Sequence, residues 1–184
     1  MPYDPKAVRW PIGIKIRRAL WSGVNGTLFR FSPFFCYGWR RFLLRCFGAK
    51  IDKSATISRT VRIVSPWNLT MERNSMIGHY AWAMCSGKVH IGENAIVGEY
   101  VKVVAGSHNT RSRGYDFVMS GVIIQRDAWV ATSAILVAAG KRDLKIGAGS
   151  IVAAGAVVFN SVKPMTIVVG NPAEFLADRV IDEE

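Results

Sequence analysis

The amino-acid sequence predicts an all-β repeat protein, a parallel β-helix wound from hexapeptides, and two periodic signals carry that reading. Aliphatic residues return every six positions at Ile51, Ile57, Ile63 and Leu69, at Ile91, Val97 and Val103, at Ile124, Val130 and Leu136, and at Ile146, Val152 and Val158. Four places after many of them stands a small residue: Ala55, Ala95, Ser107, Ala128, Ala134, Ser150 and Ala156. A triangular coil of three short strands accounts for both, since a large aliphatic fills each section while a small residue fits near each corner. Hexapeptides taken in threes give a coil of about 18 residues. Gly78, Gly92, Gly98 and Gly147 directly follow aliphatics, as turns between such strands require. A sandwich of short strands, the competing all-β reading, alternates apolar and polar residues with period two instead.

The elements follow in chain order. Residues 1–50 form a basic, amphipathic helical cap: IGIKIRRALW and SPFFCYGWRRFLLRCFGAK mix aromatics with cations, and Ser32-Pro33 divides them into two short helices, Pro33 suiting a helix start. Two roles stay open for this segment. It covers the first coil, whose core would otherwise end in water, or it lies on an anionic membrane through Arg40, Arg41, Arg45 and the neighbouring aromatics. Residues 51–184 form the repeat domain. Its phase breaks between Val103 and Ile124, where the polar stretch 109–120 leaves the helix as a loop. A second break lies between Leu136 and Ile146, where Lys141, Arg142 and Asp143 mark a small exposed bulge. GNPAEFLADRV ends the last coil and starts a short C-terminal helix at about residue 172.

Composition bounds the function. The chain of 184 residues suits one domain with a small appendage, and an apolar half is ample for a core. Of its 24 Lys and Arg, ten fall in residues 1–50 against one acid, so the net charge of +11 is almost entirely N-terminal. Nucleic acid, an anionic membrane or phosphate-bearing ligands would each answer such a skew. The cations alternate with large apolar residues and form no nucleic-acid reader motif, so no nucleic-acid partner is expected. Cys36, Cys46 and Cys85 are odd in number and show no CxxC spacing, which points away from a zinc site or a disulfide framework. The longest uncharged stretch, Ile146 to Val162, is interrupted by glycines and too short to span a membrane. The opening MPYDPKAVRW shows no signal-peptide pattern, and the expected location is the cytoplasm, with association at the inner face of the cell membrane as its extension.

The stretch SPFFCYGWRRFLLRCFGAKI, then GSHN, DAWVA and GNPAEFL, resembles the hexapeptide-repeat acyltransferases, and within them the colanic acid biosynthesis acetyltransferase type. The resemblance covers nearly the whole chain. It implies a left-handed coil, which periodicity alone does not give because ordinary parallel crossovers are right-handed. It also implies acetyl-CoA as acyl donor, a saccharide hydroxyl as acceptor, and a homotrimer whose active sites lie between subunits.

By the same resemblance His108, in GSHN at the loop base, is the catalytic base that takes the proton of the acceptor hydroxyl. A neutral alcohol is a weak nucleophile toward a thioester, which is why such a base is needed. Asn109 follows where relatives often carry Asp, so an Asn carbonyl, Asp116 in the loop, or Glu99 would orient the imidazole. Trp129 in DAWVA lies along the cofactor in relatives. The pantetheine arm would hydrogen-bond amides near Ala131, Ala153 and Ala154, with Lys163, Lys145 or Arg179 at its phosphates. The acceptor would meet Trp82, Cys85, His90 and Asp116, the stretch from Tyr80 to Gly87 departing from relatives that carry an Asn there. His90, 18 residues before His108, would stack on the same face one coil below. Two other functions compete: a β-helix scaffold that has lost catalysis, favoured by Asn109 and the altered stretch, and a metal enzyme resembling the gamma carbonic anhydrases. The second needs three convergent histidines, and the spacings of His79, His90 and His108 do not reproduce that pattern, so no metal is expected.

Overall fold

The computed structural model describes residues 10–140 and 142–181. Short parallel strands wind into a three-faced helix. The first face carries Lys50–Ile51, Leu69–Met71, Val89–Ile91, Val122–Ile124 and Leu144–Ile146. The second carries Thr56–Ile57, Met76–Ile77, Ile96–Val97, Trp129–Val130, Ile151–Val152 and Thr166–Val169, and the third Arg62–Ile63, Trp82–Met84, Lys102–Ala105, Ile135–Ala138 and Val157–Val158. The aliphatics at the six-residue spacing point inward and are buried, as are Ala55, Ala95, Ala128, Ala134, Ser150 and Ala156 at the corners. Ser107 is the exception, half-buried where the loop leaves the coil.

The coil is longer than expected. Lys50 pairs with Thr70 and Thr70 with His90, a step of 20 residues rather than 18. The two extra residues sit at the third corner, between the third face and the next first face, where Pro66–Asn68 forms a 3-10 turn in the first coil. One coil escaped the aliphatic pattern altogether, because Met71, Ile77 and Ala83 fill its inward positions. Both breaks in phase are insertions at that third corner. His90 pairs with Ile123, a step of 33, and Ile123 with Lys145, a step of 22, so the ladder resumes in register after each. At the first corner, Asn74, Asn94 and Asp127 take the left-handed backbone that short polar side chains tolerate. Asn74 donates to Asn94 and Asn94 to Asp127, tying three coils together.

The N-terminal segment divides at Ser32-Pro33 as expected, into α1 (Ile12–Val24), which continues through a π-helical turn to Phe29, and α2 (Tyr37–Cys46). Pro33 lies in the turn before α2 rather than at its first residue. No coil lies beneath the first one, so its outward carbonyls need donors, and a guanidinium supplies several with no acceptor to satisfy. Arg40 Nε donates to Ile57 O at 2.7 Å, Arg41 to Ala55 O at 2.9 Å, and Arg45 to Ile51 O at 2.6 Å, while Trp21 Nε1 donates to Ile63 O at 2.6 Å. Much of the N-terminal basicity is therefore internal. Of the two roles left open, the cap is the one these three arginines perform, and Arg40 is fully buried and unavailable to a membrane.

The short C-terminal helix expected from about residue 172 is not formed. Glu174–Asp178 is a strand that pairs antiparallel with Thr166–Val169. AEFLAD has good helix formers, yet the last parallel strand would leave an open edge, and folding back covers it. Arg179 secures the return, its side chain donating to Gly149 O at 2.8 Å and its amide to Met165 O at 2.8 Å.

Candidate active site

The larger insertion is a hairpin that leaves the third corner. Gly106 takes φ +131°, then Ser107 pairs with Val118 and His108 with Phe117. The tip is closed by its own polar residues. Asn109 N–H donates to Asp116 O at 2.8 Å, Asn109 Oδ1 accepts from Arg111 N–H at 3.0 Å, and the Asp116 carboxylate accepts from the Ser112 hydroxyl. These are turn-forming bonds. Neither Asn109 nor Asp116 orients the imidazole, and Glu99 lies at the second corner, across the coil from the loop.

His108 Nδ1 lies 2.6 Å from the carbonyl oxygen of Tyr115. A carbonyl only accepts, so Nδ1 carries the hydrogen and Nε2 keeps the lone pair. The ring also stands edge-on to Phe117, centroids 5.3 Å apart, and Trp10 reaches the same Phe117 at 6.3 Å. His108 is thus held in one tautomer by a backbone group and in one orientation by an aromatic contact, with its side chain exposed.

Beneath the hairpin, Gly121 N–H donates to Asp143 Oδ1 at 2.6 Å and Ser120 Oγ to Gly140 O, locking the loop base to the bulge of the next coil. Gly87 permits that approach, since a Cβ there would sit 2.2 Å from Ser120 O. A cleft of about 340 Å³ opens at this corner between Asn68, Ser86, Lys88, Met119 and Asp143. Sequence reasoning passed over Tyr115 and Phe117. Ser86 stood only within the Tyr80–Gly87 stretch, and Asp143 only as a charge inside the shorter phase break.

The expected acceptor residues are dispersed. Cys85 points into the core with no exposure, and burial pushes its thiol up to about 12. It therefore stays a thiol at neutral pH and touches no solute. Native labelling with iodoacetamide should modify exposed Cys46 and leave Cys85 intact until the protein unfolds; peptide mass spectrometry showing Cys85 alkylated in the folded protein would refute the burial. His90 does not stack on His108, because the coil is not 18 residues. It sits on the first face between Thr70 and Ile123, its Nε2 3.2 Å from the Glu72 carboxylate. Trp82 begins its strand at the second corner under Arg62, its Nε1 buried without a partner. His79, at the second corner, bonds Thr60. The three histidines lie on different parts of the coil, and among the described residues no cluster of metal-ligating side chains forms.

The residues expected at the donor are divided. Trp129 is exposed on the outer side of the second face between Ile96 and Ile151. Ala131 and Ala153 border it, but their amides already donate to Val152 O and Val168 O, so they offer small side chains rather than free donors. Arg179 is committed to the backbone and Lys145 lies on the first face, whereas Lys163 is exposed beside a cavity of about 420 Å³ with Ser161, Phe175 and Asp178. The second face is opposite the third corner on the triangular section. His108 and Trp129 of one chain therefore stand on opposite sides of it.

No family model matches the chain. Over 179 residues it is 35% identical to the colanic acid biosynthesis acetyltransferase WcaF of Escherichia coli (strain K12), a match spanning 97% of this chain and 95% of that protein. Among solved structures, a galactoside acetyltransferase in complex with coenzyme A superposes with a TM-score of 0.82 at 17% identity, over 93% of this chain and 84% of the other. A hexapeptide-repeat acetyltransferase from Vibrio cholerae O1 biovar eltor, complexed with acetyl coenzyme A, superposes with a TM-score of 0.78 at 20% identity, over 94% of each chain. Likeness at such identity speaks to the left-handed β-helix itself.

Proposed function

Because the chain belongs to the hexapeptide-repeat acetyltransferases of the colanic acid biosynthesis type, we propose that it moves the acetyl group of acetyl-CoA to a saccharide hydroxyl during polysaccharide assembly. His108 is the general base. The observation that carries this role is the Nδ1 bond to Tyr115 O, which leaves Nε2 as the basic nitrogen of an exposed ring. Nε2 takes the hydroxyl proton as the oxygen attacks the thioester carbon. A C–O bond forms, the C–S bond breaks, and the imidazolium returns its proton to the departing thiolate. Both substrates are bound together and the enzyme carries no acetyl group itself, so positioning supplies much of the rate.

Trp129 and Lys163 are the residues suited to hold the donor, the indole along its chain and the ammonium at a phosphate. The place of Trp129 on the face opposite His108, with Lys163 in the turn that leads into that face, supports a homotrimer in which the loop of one subunit faces the second face of its neighbour. The cleft of Ser86, Lys88 and Asp143 under the hairpin offers the hydrogen-bonding groups a saccharide needs. No helix among the described residues is long and apolar enough to cross a membrane.

Incubation with acetyl-CoA and a panel of nucleotide-sugar and lipid-linked saccharide acceptors tests the proposal. Mass spectrometry should find one acceptor carrying an added acetyl group, with free CoA released in equal amount. Saturating acetyl-CoA should also stabilise the fold, by about 2.7 kcal/mol at a hundredfold excess over Kd. No transfer together with no thermal shift would overturn the reading in favour of a scaffold.

A further inference from the structure

The N-terminal cap is apolar on both sides. One side of α1 holds Trp21 against the first coil. The other repeats Ile12, Ile16 and Leu20 at four-residue spacing, a single stripe, and all three are more than half exposed. The connecting turn adds Phe31, Phe34 and Phe35, exposed at 78%, 71% and 65%. An exposed apolar stripe on the helix together with three exposed phenylalanines in the turn that follows marks a contact with something outside the chain.

We propose that this surface docks on an anionic lipid bilayer. Charge separates that occupant from a second copy of the chain. Residues 1–50 hold ten cations against one acid, while residues 51–184 hold fourteen against twelve, so the repeat domain carries no net negative charge to attract them. With Arg40, Arg41 and Arg45 committed to backbone carbonyls, Lys15 beside the α1 stripe and Arg30 beside Phe31 are exposed cations suited to lipid phosphates. α1 has 13 residues and lies on the surface without crossing it. The docking element is also joined to the reaction site, because Trp10, just before α1, meets Phe117, which in turn meets His108. Resting on the acetyl-transfer reading, this places His108 beside the bilayer and makes a lipid-linked saccharide the acceptor class.

Co-sedimentation with phosphatidylcholine vesicles, with or without one third phosphatidylglycerol, tests it on the whole chain. The protein should pellet with the anionic vesicles and be released roughly tenfold by removing the anionic lipid or adding salt. Ile16→Glu with Leu20→Glu should weaken binding at least tenfold while its thermal midpoint and its turnover of a soluble acceptor stay unchanged. Absence of wild-type binding overturns the proposal, as does equal binding by the double variant. Loss of the oligomer in that variant also overturns it, showing that a second copy covers the stripe. His108→Ala should bind vesicles like the wild type, so failure of the catalytic reading leaves the lipid result standing.

Discussion

Replacing His108 by Ala should lower turnover by about 10²- to 10⁴-fold, the range expected when a general base is lost. Binding of acetyl-CoA should persist, because the change leaves the proposed donor residues, Trp129 and Lys163, untouched. The fold should be nearly indifferent, since the side chain is exposed and the hairpin closes through Asn109, Ser112 and Asp116. Steady-state kinetics with a thermal melt would check both halves. Retained turnover in a folded protein would remove His108 from the mechanism. The contrast with Asp116→Asn is informative. If Tyr115 O is the orienting group, that variant keeps turnover within roughly threefold, whereas a carboxylate-oriented base would lose about as much as the Ser-His-Asp systems lose on the same change.

Arg40→Ala should cost about 3 to 5 kcal/mol, among the largest single-residue effects this fold will show. The guanidinium is fully buried and donates to four oxygens, Ile57 O, Ser32 Oγ, Pro33 O and Phe34 O, at 2.7 to 2.9 Å. It also lies over the Tyr37 ring, 4.6 Å from its centroid. Burial pulls its pKa below the ordinary arginine value, and these bonds offset the cost of desolvating the charge. Truncation would orphan the acceptors at once and detach α2 from the turn before it. Urea denaturation should show the loss as a lower midpoint at unchanged slope, and the thermal midpoint should fall by roughly 10 °C. Arg40→Lys should recover little, because one ammonium does not reproduce the planar fork. A loss under about 1 kcal/mol would mean the cap contributes little.

The periodic parts of this molecule were legible in the chain and the aperiodic ones were not, for identifiable reasons. Ile57, Val97, Val130 and Val152 stack on one face because branched aliphatics at six-residue spacing leave no other economical burial. The coil of Met71, Ile77 and Ala83 went unseen, since methionine and alanine blur the pattern while still filling the section. That omission also gave the 18-residue coil and the mistaken stacking of His90 under His108. The C-terminal strand misled for a different reason: AEFLAD has helical propensity, and only the open edge of Thr166–Val169 makes it a strand. His108 stood out by its motif, whereas the group its Nδ1 meets was beyond sequence reading, because the Tyr115 carbonyl belongs to the backbone and would be the same with any side chain there. The arginines of α2 looked like surface charge. Their destination depends on which carbonyls the first coil leaves without partners, a fact of three-dimensional winding.

The two ends of the coil also bear on solubility. A stack of parallel strands is an open template, and an uncovered terminus would invite the coil of another molecule to continue it into a fibre. At the N-terminal end the carbonyls that would seed such growth are occupied by guanidinium groups. At the other end the last strand is met by one running the opposite way, so an incoming parallel coil finds the wrong polarity at that edge. The chain thereby covers its N-terminal coil and one of the three faces at the other end, and variants that disturb either closure should be judged by filament formation as well as by melting.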